Sequence, residues 1–212
     1  MIPAKALPAS RREQREQTRQ RILDAAVERF ARSGFDAASL ADIAQQAGVT
    51  KALVQYHFST KEQLWRDAAI HLWNERDNFL RGALAELCDR EPTEKLRRGF
   101  TALVEFTREN PQWLWFMFHE SAAGGERLQW LIDHCLQEDF PMGEKFVRQF
   151  QQQGLIREGS PLHLLHIISG AITYNLLVAP LTLRVTGTDL SSEESIAHQV
   201  ILLQTLLAPH DD

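Results

Sequence analysis

The stretch SLADIAQQAGVTKALVQYH, residues 39–57, decides the fold of this chain. Leu40 and Ile43 have the spacing of one helix face, and Gly48 follows them as a turn residue. The residues from Thr50 to His57 form a second short helical pattern. Helices of seven or eight residues are marginal alone, because nucleation costs more than so few hydrogen bonds return. Both helices must therefore be held by packing, as in a helix-turn-helix or an αα-corner.

Polar residues mark the start of each predicted helix. Ser39 with Asp42, and Ser59 with Glu62, have the spacing of a capping box. Thr50 is placed to cap the second short helix. We expect the next helix to start at Ser59, run to about residue 89 and join the short helices to the rest of the chain.

The other segments also have a helical period. Ile22, Ala26 and Phe30 form an apolar stripe before the short helices, and Gly34 is suited to end that helix. Further on, Pro141 should kink or divide the helical segment 126–153. No segment has the alternation of a strand, and no internal repeat is evident. The sequence therefore predicts an all-α fold of about nine helices.

Charge is divided unevenly along the 212 residues. The net charge is −5, but residues 1–66 hold eleven Lys and Arg against seven Asp and Glu, while the remainder holds twelve against twenty-one. A positive N-terminal module on an acidic body suggests a polyanion as the partner of that module. An ordinary fluctuation of composition is the alternative.

Other features argue for a cytoplasmic protein without cofactor or metal. Cys88 and Cys135 are far apart and lack the spacing of a disulfide framework or a zinc site. The N-terminus lacks the apolar core of a signal peptide. Residues 162–183 are long and apolar enough to cross a bilayer, but their internal His, Asn and Pro favour a buried helix, so we expect no membrane partner. His163 and His166 are one helical turn apart, yet no third metal ligand is evident.

The second short helix carries side chains suited to DNA. Lys51 can reach a phosphate or a guanine edge, and Gln55 has the donor and acceptor pair that matches adenine N6 and N7. Tyr56 and His57, with Lys61 at the start of the next helix, can bond phosphates and fix the register. We therefore interpret this helix as the recognition helix of a helix-turn-helix, whereas an αα-corner would have the same pattern without a DNA role.

The run from Thr18 to Leu64 resembles the DNA-binding domain of the TetR family of bacterial transcriptional regulators. The resemblance is carried by ILDAA, GF, DIA, AGV, YHF and KEQL, and it covers about fifty residues. It implies a basic flexible tail over 1–15, a helix-turn-helix domain over 16–60 and a helical effector-binding and dimerisation domain over 61–212. It also implies a homodimeric repressor that binds double-stranded DNA at a palindromic operator. An unknown small-molecule effector would release the repressor from this operator.

Carried over residue by residue, the resemblance places the recognition helix in the major groove and Ser39 and Lys61 on flanking phosphates. Many family members have Thr or Ser after a small residue here and Tyr in place of Gln55, so the half-site sequence cannot be inferred. Leu53 could touch a thymine methyl group. The implied DNA contacts are Ser39, Thr50, Lys51, Ala52, Leu53, Gln55, Tyr56, His57 and Lys61.

Four arginines precede this domain. Arg11, Arg12, Arg15 and Arg19 can reach the minor groove or the backbone of DNA, as basic arms do. Solvated arginines balanced by neighbouring glutamates are the alternative.

Two apolar helices near the C-terminus are candidates for a dimer interface. One recognition helix covers too few base pairs to specify a site, whereas two on a palindrome discriminate far better. The candidate interface residues, which would form a symmetric four-helix bundle, are Leu165, Ile168, Ile172, Leu176, Val200, Leu203 and Leu207. Their alternative role is in the core of the monomer.

An aromatic concentration between residues 100 and 130 is the candidate effector pocket. Aromatic walls with a few polar groups are typical of a small-molecule site, but an aromatic stripe is also typical of a core. The candidate ligand-binding residues are Phe106, Trp113, Phe116, Met117, Trp130, His134 and Tyr174.

Three functions are compatible with the pattern. The first is a repressor released by a small, largely apolar effector, and the second is a chromosome organiser that binds DNA with the same fold and no effector. The third is a helical binding protein with a vestigial helix-turn-helix, which would not keep an exposed polar face. No nucleophile elbow, phosphate-binding loop or catalytic carboxylate pair is present, so we do not expect an enzyme.

Overall fold

A computed structural model describes residues 10–85 and 89–209, and in these ranges the chain is helical and has no strand. The all-α prediction is confirmed, and the described residues form ten α-helices where the sequence predicted about nine. They are α1 (Arg11–Ala37), α2 (Leu40–Gln46), α3 (Lys51–His57), α4 (Lys61–Ala85), α5 (Pro92–Glu109), α6 (Gln112–Ala123), α7 (Glu126–Leu131), α8 (Asp139–Gln152), α9 (Pro161–Thr186) and α10 (Glu193–Leu207). A π-helical turn (Ile132–Leu136) follows α7. Residues 1–9, Cys88 and the last three residues lie outside the described ranges.

α1 begins earlier than predicted. The Ser10 hydroxyl accepts a hydrogen bond from the Glu13 N–H at 3.2 Å, and the Glu13 carboxylate accepts one from the Ser10 N–H at 2.7 Å. This capping box satisfies two backbone donors that a helix start leaves free. Residues 11–15, which we predicted as part of the flexible tail, are therefore helical.

The segment 126–153 divides ahead of its proline. α7 and the π-helical turn end before Gln137, and α8 starts at Asp139. Pro141 therefore lies in the first turn of α8, where its missing N–H has no helical acceptor. The predicted division is present, but the proline does not kink a helix.

The helices enclose two apolar cores. The first joins α1–α4 to α6 and α7, and its largest buried side chains include Phe30, Phe58, Trp65 and Phe116. The second joins α5 and α8–α10. α4 belongs to the first core and also packs along α5. The short helices α2 and α3 are thus held by the first core, as their length requires.

Most of the residues predicted at a dimer interface fill the second core within a single chain. Ile168, Ile172, Val200, Leu203 and Leu207 are at most 4% exposed, and Leu165 and Leu176 pack against them. Their apolar periodicity reflects burial against α5 and α8 of the same chain. The five buried residues are thus core residues of the single chain, whereas Leu165 and Leu176 are half-buried.

α9 has more apolar side chains than the second core buries. The helix is long and apolar enough to cross a membrane by length and composition. Leu164, Ile168 and Ile172 on one side are buried in the protein, whereas Ile167, Tyr174 and Leu181 on the other side are 57%, 63% and 63% exposed. Residues seven apart lie on one helix face, so α9 has a second, exposed apolar face.

Candidate DNA-binding surface

α2 and α3 form a helix-turn-helix with a defined local geometry. The Ser39 hydroxyl caps α2 by accepting from the Asp42 N–H at 3.1 Å, and the Thr50 hydroxyl caps α3 by accepting from the Leu53 N–H at 3.2 Å. Gly48 has a φ of 66°, in the left-handed region that the turn needs and that glycine adopts without strain. Ile43 and Val54, both fully buried, anchor the two helices on the first core.

The two predicted capping boxes differ in detail from the structure. The Asp42 carboxylate does not accept from the Ser39 backbone N–H, as a capping box requires, but accepts from the Arg29 guanidinium of α1 at 2.6 Å. Hydrogen bonds from Arg29 and then Ser39 hold the pKa of Asp42 below its usual value. At the start of α4, Thr60 rather than Ser59 caps the helix, accepting from the Gln63 N–H at 3.0 Å. The Asp42 bond fixes α2 against α1.

α3 turns its polar side chains to solvent. Lys51, Ala52, Gln55 and Tyr56 are exposed, as is Thr50 at the cap, while Leu53 and His57 are half-buried. Val54 and Phe58, which alternate with them, are at most 1% exposed. A helix with one buried face and an exposed polar face, projecting from a helix-turn-helix, has the form that enters a major groove.

Lys61 and Ser39 both lie at the α1–α2 corner. The Lys61 ammonium donates to the Asp36 carbonyl oxygen at 3.2 Å and lies 4.5 Å from the centroid of the Phe35 ring. The Arg127 guanidinium of α7 lies 4.2 Å from the same centroid. The corner therefore connects α4, α7 and the helix-turn-helix.

Arginines of α1 approach α3, which the sequence did not indicate. The Arg15 guanidinium lies 5.6 Å from the Tyr56 ring centroid, within cation–π range. The Arg19 guanidinium lies 5.1 Å from the Phe58 ring and bonds Asp67 at 2.7 Å. The capping spacing of Ser10 and Glu13 was the signal that would have extended α1 to these residues.

The environment of His57 keeps it neutral. Burial lowers the pKa of His57, and the positive charges of Arg15 and Arg19 lower it further. At neutral pH this side chain therefore contributes hydrogen bonding rather than charge to the surface.

Five of the seven predicted ligand-binding residues come together, in a packed cluster. Phe106, Trp113 and Phe116 are buried, and Met117 and Trp130 pack against the first core. The Phe116 ring contacts the rings of Phe30, Trp65 and Trp73 at centroid distances of 6.1 to 6.4 Å. His134 stacks on Trp130 at 4.4 Å but is exposed, and Tyr174 is an exposed residue of α9 outside this cluster.

Two clefts lie elsewhere. One, of about 370 Å³, lies between α1, α2, α4 and the start of α6 and includes Asp24, His71 and Glu75. The other, of about 420 Å³, lies between α5 and α10 and includes Arg97, Arg98 and Arg108. None of the predicted ligand-binding residues lines either cleft. Over residues 10–85 and 89–209, no three His, Cys, Asp or Glu side chains are placed to hold a metal ion.

Comparison with known proteins agrees with this geometry. Residues 22–68 match the family model described as bacterial regulatory proteins, tetR family. The "Probable acrEF/envCD operon repressor" of Escherichia coli K12 is 25% identical over 158 residues, which cover 71% of this chain and 70% of that protein.

Solved structures share the fold over nearly the whole chain. HlyIIR, a hemolysin II transcriptional regulator, has a TM-score of 0.68 at 24% identity and covers 93% of this chain and 99% of its own. AibR, solved in complex with isovaleryl coenzyme A and operator DNA, has a TM-score of 0.67 at 21% identity and covers 92% and 100%. Residues 22–68 thus form a helix-turn-helix domain of the tetR-family type, and the chain as a whole shares its fold with these solved regulators.

Proposed function

We propose that this protein is a homodimeric cytoplasmic repressor that binds a palindromic operator and leaves it when a small, largely apolar effector binds. The exposed polar face of α3 carries this proposal, because Lys51, Gln55 and Tyr56 extend from a helix whose other face is fixed in the core. Gln55 is the proposed reader of a base edge, and Lys51 contacts a guanine edge or a phosphate. Neither an enzymatic activity nor a membrane or cofactor is part of this function.

The exposed apolar faces of α9 and α10 support the dimer. On α10, Ile201, Leu202 and Leu206 are 56% to 66% exposed, and the Gln199 amide of the same helix donates to the Ala171 carbonyl of α9 at 2.6 Å. The two helices thus form one surface with Ile167, Tyr174 and Leu181. A surface that pairs with its own copy gives a two-fold bundle of four helices, and the two α3 helices must lie about 34 to 36 Å apart to reach successive major grooves.

Contacts between α1 and α6 supply a route from effector to DNA. His119 Nε2 of α6 lies 3.0 Å from the Ala31 carbonyl oxygen, and the Gln112 amide donates to Glu28. Gly34 leaves room for this contact, since a Cβ there would lie 3.3 Å from His119 Nδ1. A ligand that entered the aromatic cluster would move α6 and, with it, α1.

The free energy that an effector must supply to release the protein from its operator is modest. A full reversal of operator occupancy needs a preference of about 5.5 kcal/mol for the released state. An apolar ligand that buries a few hundred Å² contributes that at roughly 25 cal/mol per Å². The structural relative AibR was solved with both an acyl coenzyme A and operator DNA, which supports an effector of organic character here.

An effector-free chromosome organiser is the second candidate. It is favoured by the packing of Phe106, Trp113 and Phe116 against other side chains, which leaves the aromatic cluster filled. A vestigial helix-turn-helix is disfavoured by the exposed polar face of α3.

Selection of bound duplexes from random DNA tests the proposal. We expect enrichment of a palindrome whose half-sites are centred about 10 base pairs, or a multiple of this, apart. A panel of apolar acids and their thioesters is then added to the complex while fluorescence anisotropy is followed. Release by one compound supports the repressor, no release by any favours the organiser, and failure to enrich any sequence contradicts both.

A further inference from the structure

The N-terminal part of α1 extends beyond the protein core. Ile22 is the first buried residue of α1, so the eleven residues Arg11–Arg21 form about 16 Å of helix outside the core. We infer that residues 11–19, here called the α1 arm, are a second DNA-contacting element that binds phosphates beyond the half-site read by α3. This inference rests on the proposed function.

The arginines of the α1 arm share one face. At 100° per residue, Arg11, Arg12, Arg15 and Arg19 fall within an arc of about 100°, whereas Glu13 and Glu16 lie outside it. Glu13 is engaged in the capping box, and Arg19 is paired with Asp67. Among the described residues, no carboxylate lies within ion-pair distance of Arg11, Arg12 or Arg15. Three guanidinium groups thus remain for an external anion.

This arginine face lies on the same side as the recognition helix. Arg15 contacts the Tyr56 ring and Arg19 contacts the Phe58 ring, so the α1 arm runs past the C-terminal end of α3. Tyr56 is 67% exposed on the proposed DNA-facing surface. Arg11 lies one helical turn before Arg15 and therefore extends that surface outward, along the duplex that flanks the half-site.

Duplex phosphate is the polyanion that fits this surface. The charge of DNA is distributed regularly along its backbone, and Lys or Arg side chains that neutralise it release counterions. The capping box begins the helix at Ser10, so the arginines are presented by a preformed element rather than ordered on binding. At 3.4 Å per base pair, the nine residues of the α1 arm span about four base pairs of flanking duplex.

The test compares two duplexes that contain the selected palindrome. One ends at the half-sites and the other carries about six further base pairs on each side. Binding of the wild-type protein, Arg11→Gln/Arg12→Gln and the charge-conserving Arg11→Lys/Arg12→Lys is measured by anisotropy over a salt series. Glutamine keeps the helix propensity of arginine, and circular dichroism verifies the helical content. Arg81→Gln/Arg148→Gln, which removes two exposed arginines outside the DNA-binding domain, is the matched control.

On the flanked duplex, we expect the glutamine variant to bind about tenfold more weakly and its salt slope to fall by about 0.9 for each phosphate that is no longer neutralised. The lysine variant and the control should keep the wild-type slope, and all four proteins should bind the trimmed duplex alike. An unchanged slope for the glutamine variant on the flanked duplex would overturn the inference, and so would an equal loss on both duplexes. Failure of the wild-type protein to select any palindrome would instead overturn the proposed function.

Discussion

At the scale of single residues, the side chain of Lys61 makes two contacts within the protein. Its ammonium stabilises the α1–α2 corner through the Asp36 carbonyl and the Phe35 ring, yet the residue remains only half-buried. A flexible point charge in this position can add a phosphate contact without a preference for any base.

Lys61→Ala should therefore weaken binding to all duplex sequences alike. We expect the slope of log Kd against log salt concentration to fall by about 0.9 for each phosphate that Lys61 neutralises in the wild-type complex. Lys145→Ala, at an exposed lysine of α8, is the control. A changed order of preference among duplexes would mean that Lys61 reads sequence.

His57 predicts a dependence of DNA binding on pH. Burial first, and then Arg15 and Arg19, lower its pKa, so its charge appears only as the pH falls below the ordinary histidine range. A nearby phosphate favours the charged form, so affinity should rise as the pH falls from 7.5 to 5.5, by about fivefold for one charge-assisted bond of roughly 1 kcal/mol.

The control for this effect is His57→Gln, whose affinity should be nearly independent of pH over that range. Because the folded protein binds the proton of His57 less tightly than the unfolded chain, folding is disfavoured at low pH. The pH titration of DNA binding should therefore be run well below the melting temperature, so that the protein stays folded at low pH. An equal pH dependence in both proteins would exclude His57 as the titrating group.

At the element scale, α4 connects the two halves of the protein. Its first turns bury Leu64 and Trp65 in the first core, and Arg76 further along bonds both oxygens of Asp139 in α8 at 2.6 Å. The Arg76 guanidinium also lies 5.7 Å from the ring centroids of Trp73 and Trp113. This buried arginine fixes the position of α4 relative to the C-terminal helices.

Arg76→Ala should lower the free energy of unfolding by about 3 to 5 kcal/mol, because it leaves the Asp139 carboxylate without its partner. Urea unfolding at a fixed protein concentration measures the change. Arg81→Ala, on the exposed side of the same helix, should change it by less than about 0.5 kcal/mol. Equal midpoints for the two variants would contradict the structural role of Arg76.

A comparison of predicted and observed helices indicates which features of the fold the sequence can predict. Caps and apolar stripes placed α2, α3 and the turn correctly, because those signals act within a few residues. The start of α1 was missed, since its first three turns are polar and have no apolar period. Ile168 and Leu203 were recognised as buried residues, but their periodicity does not specify whether the same chain or a partner buries them.

In the candidate DNA-binding surface, too, local features could be predicted from the sequence and long-range contacts could not. The exposed polar face of α3 could be predicted because Val54 and Phe58 fix which side is buried. The contact of Arg15 with Tyr56 could not, because it joins residues 41 positions apart through the packing of α1 on the first core. The aromatic residues were predicted to lie together, but the sequence left open whether they form a pocket or a packed core. That depends on side chains of α1 and α4.

At the scale of the whole molecule, dimerisation sets the distance between two recognition helices. Leu202→Glu/Leu206→Glu should give a folded monomer, because both side chains are more than 60% exposed and each charge would be buried without a partner in the dimer. Light scattering after size exclusion measures the mass, and circular dichroism measures the helical content.

Met142→Glu, at a 65% exposed residue of α8, is the control and should remain dimeric. The monomeric variant should bind the palindrome no better than a single half-site. A double variant that retained the dimer mass would place the interface elsewhere than on the exposed faces of α9 and α10.

The substitution Gln55→Ala tests whether α3 reads base edges. Selection from random duplexes is run in parallel for the wild-type protein and the variant, and the base preference at each position is compared. We predict the loss of about 1 to 3 kcal/mol of discrimination at one position of each half-site, with the other positions unchanged. Identical preference profiles for the two proteins would show that Gln55 does not read a base edge.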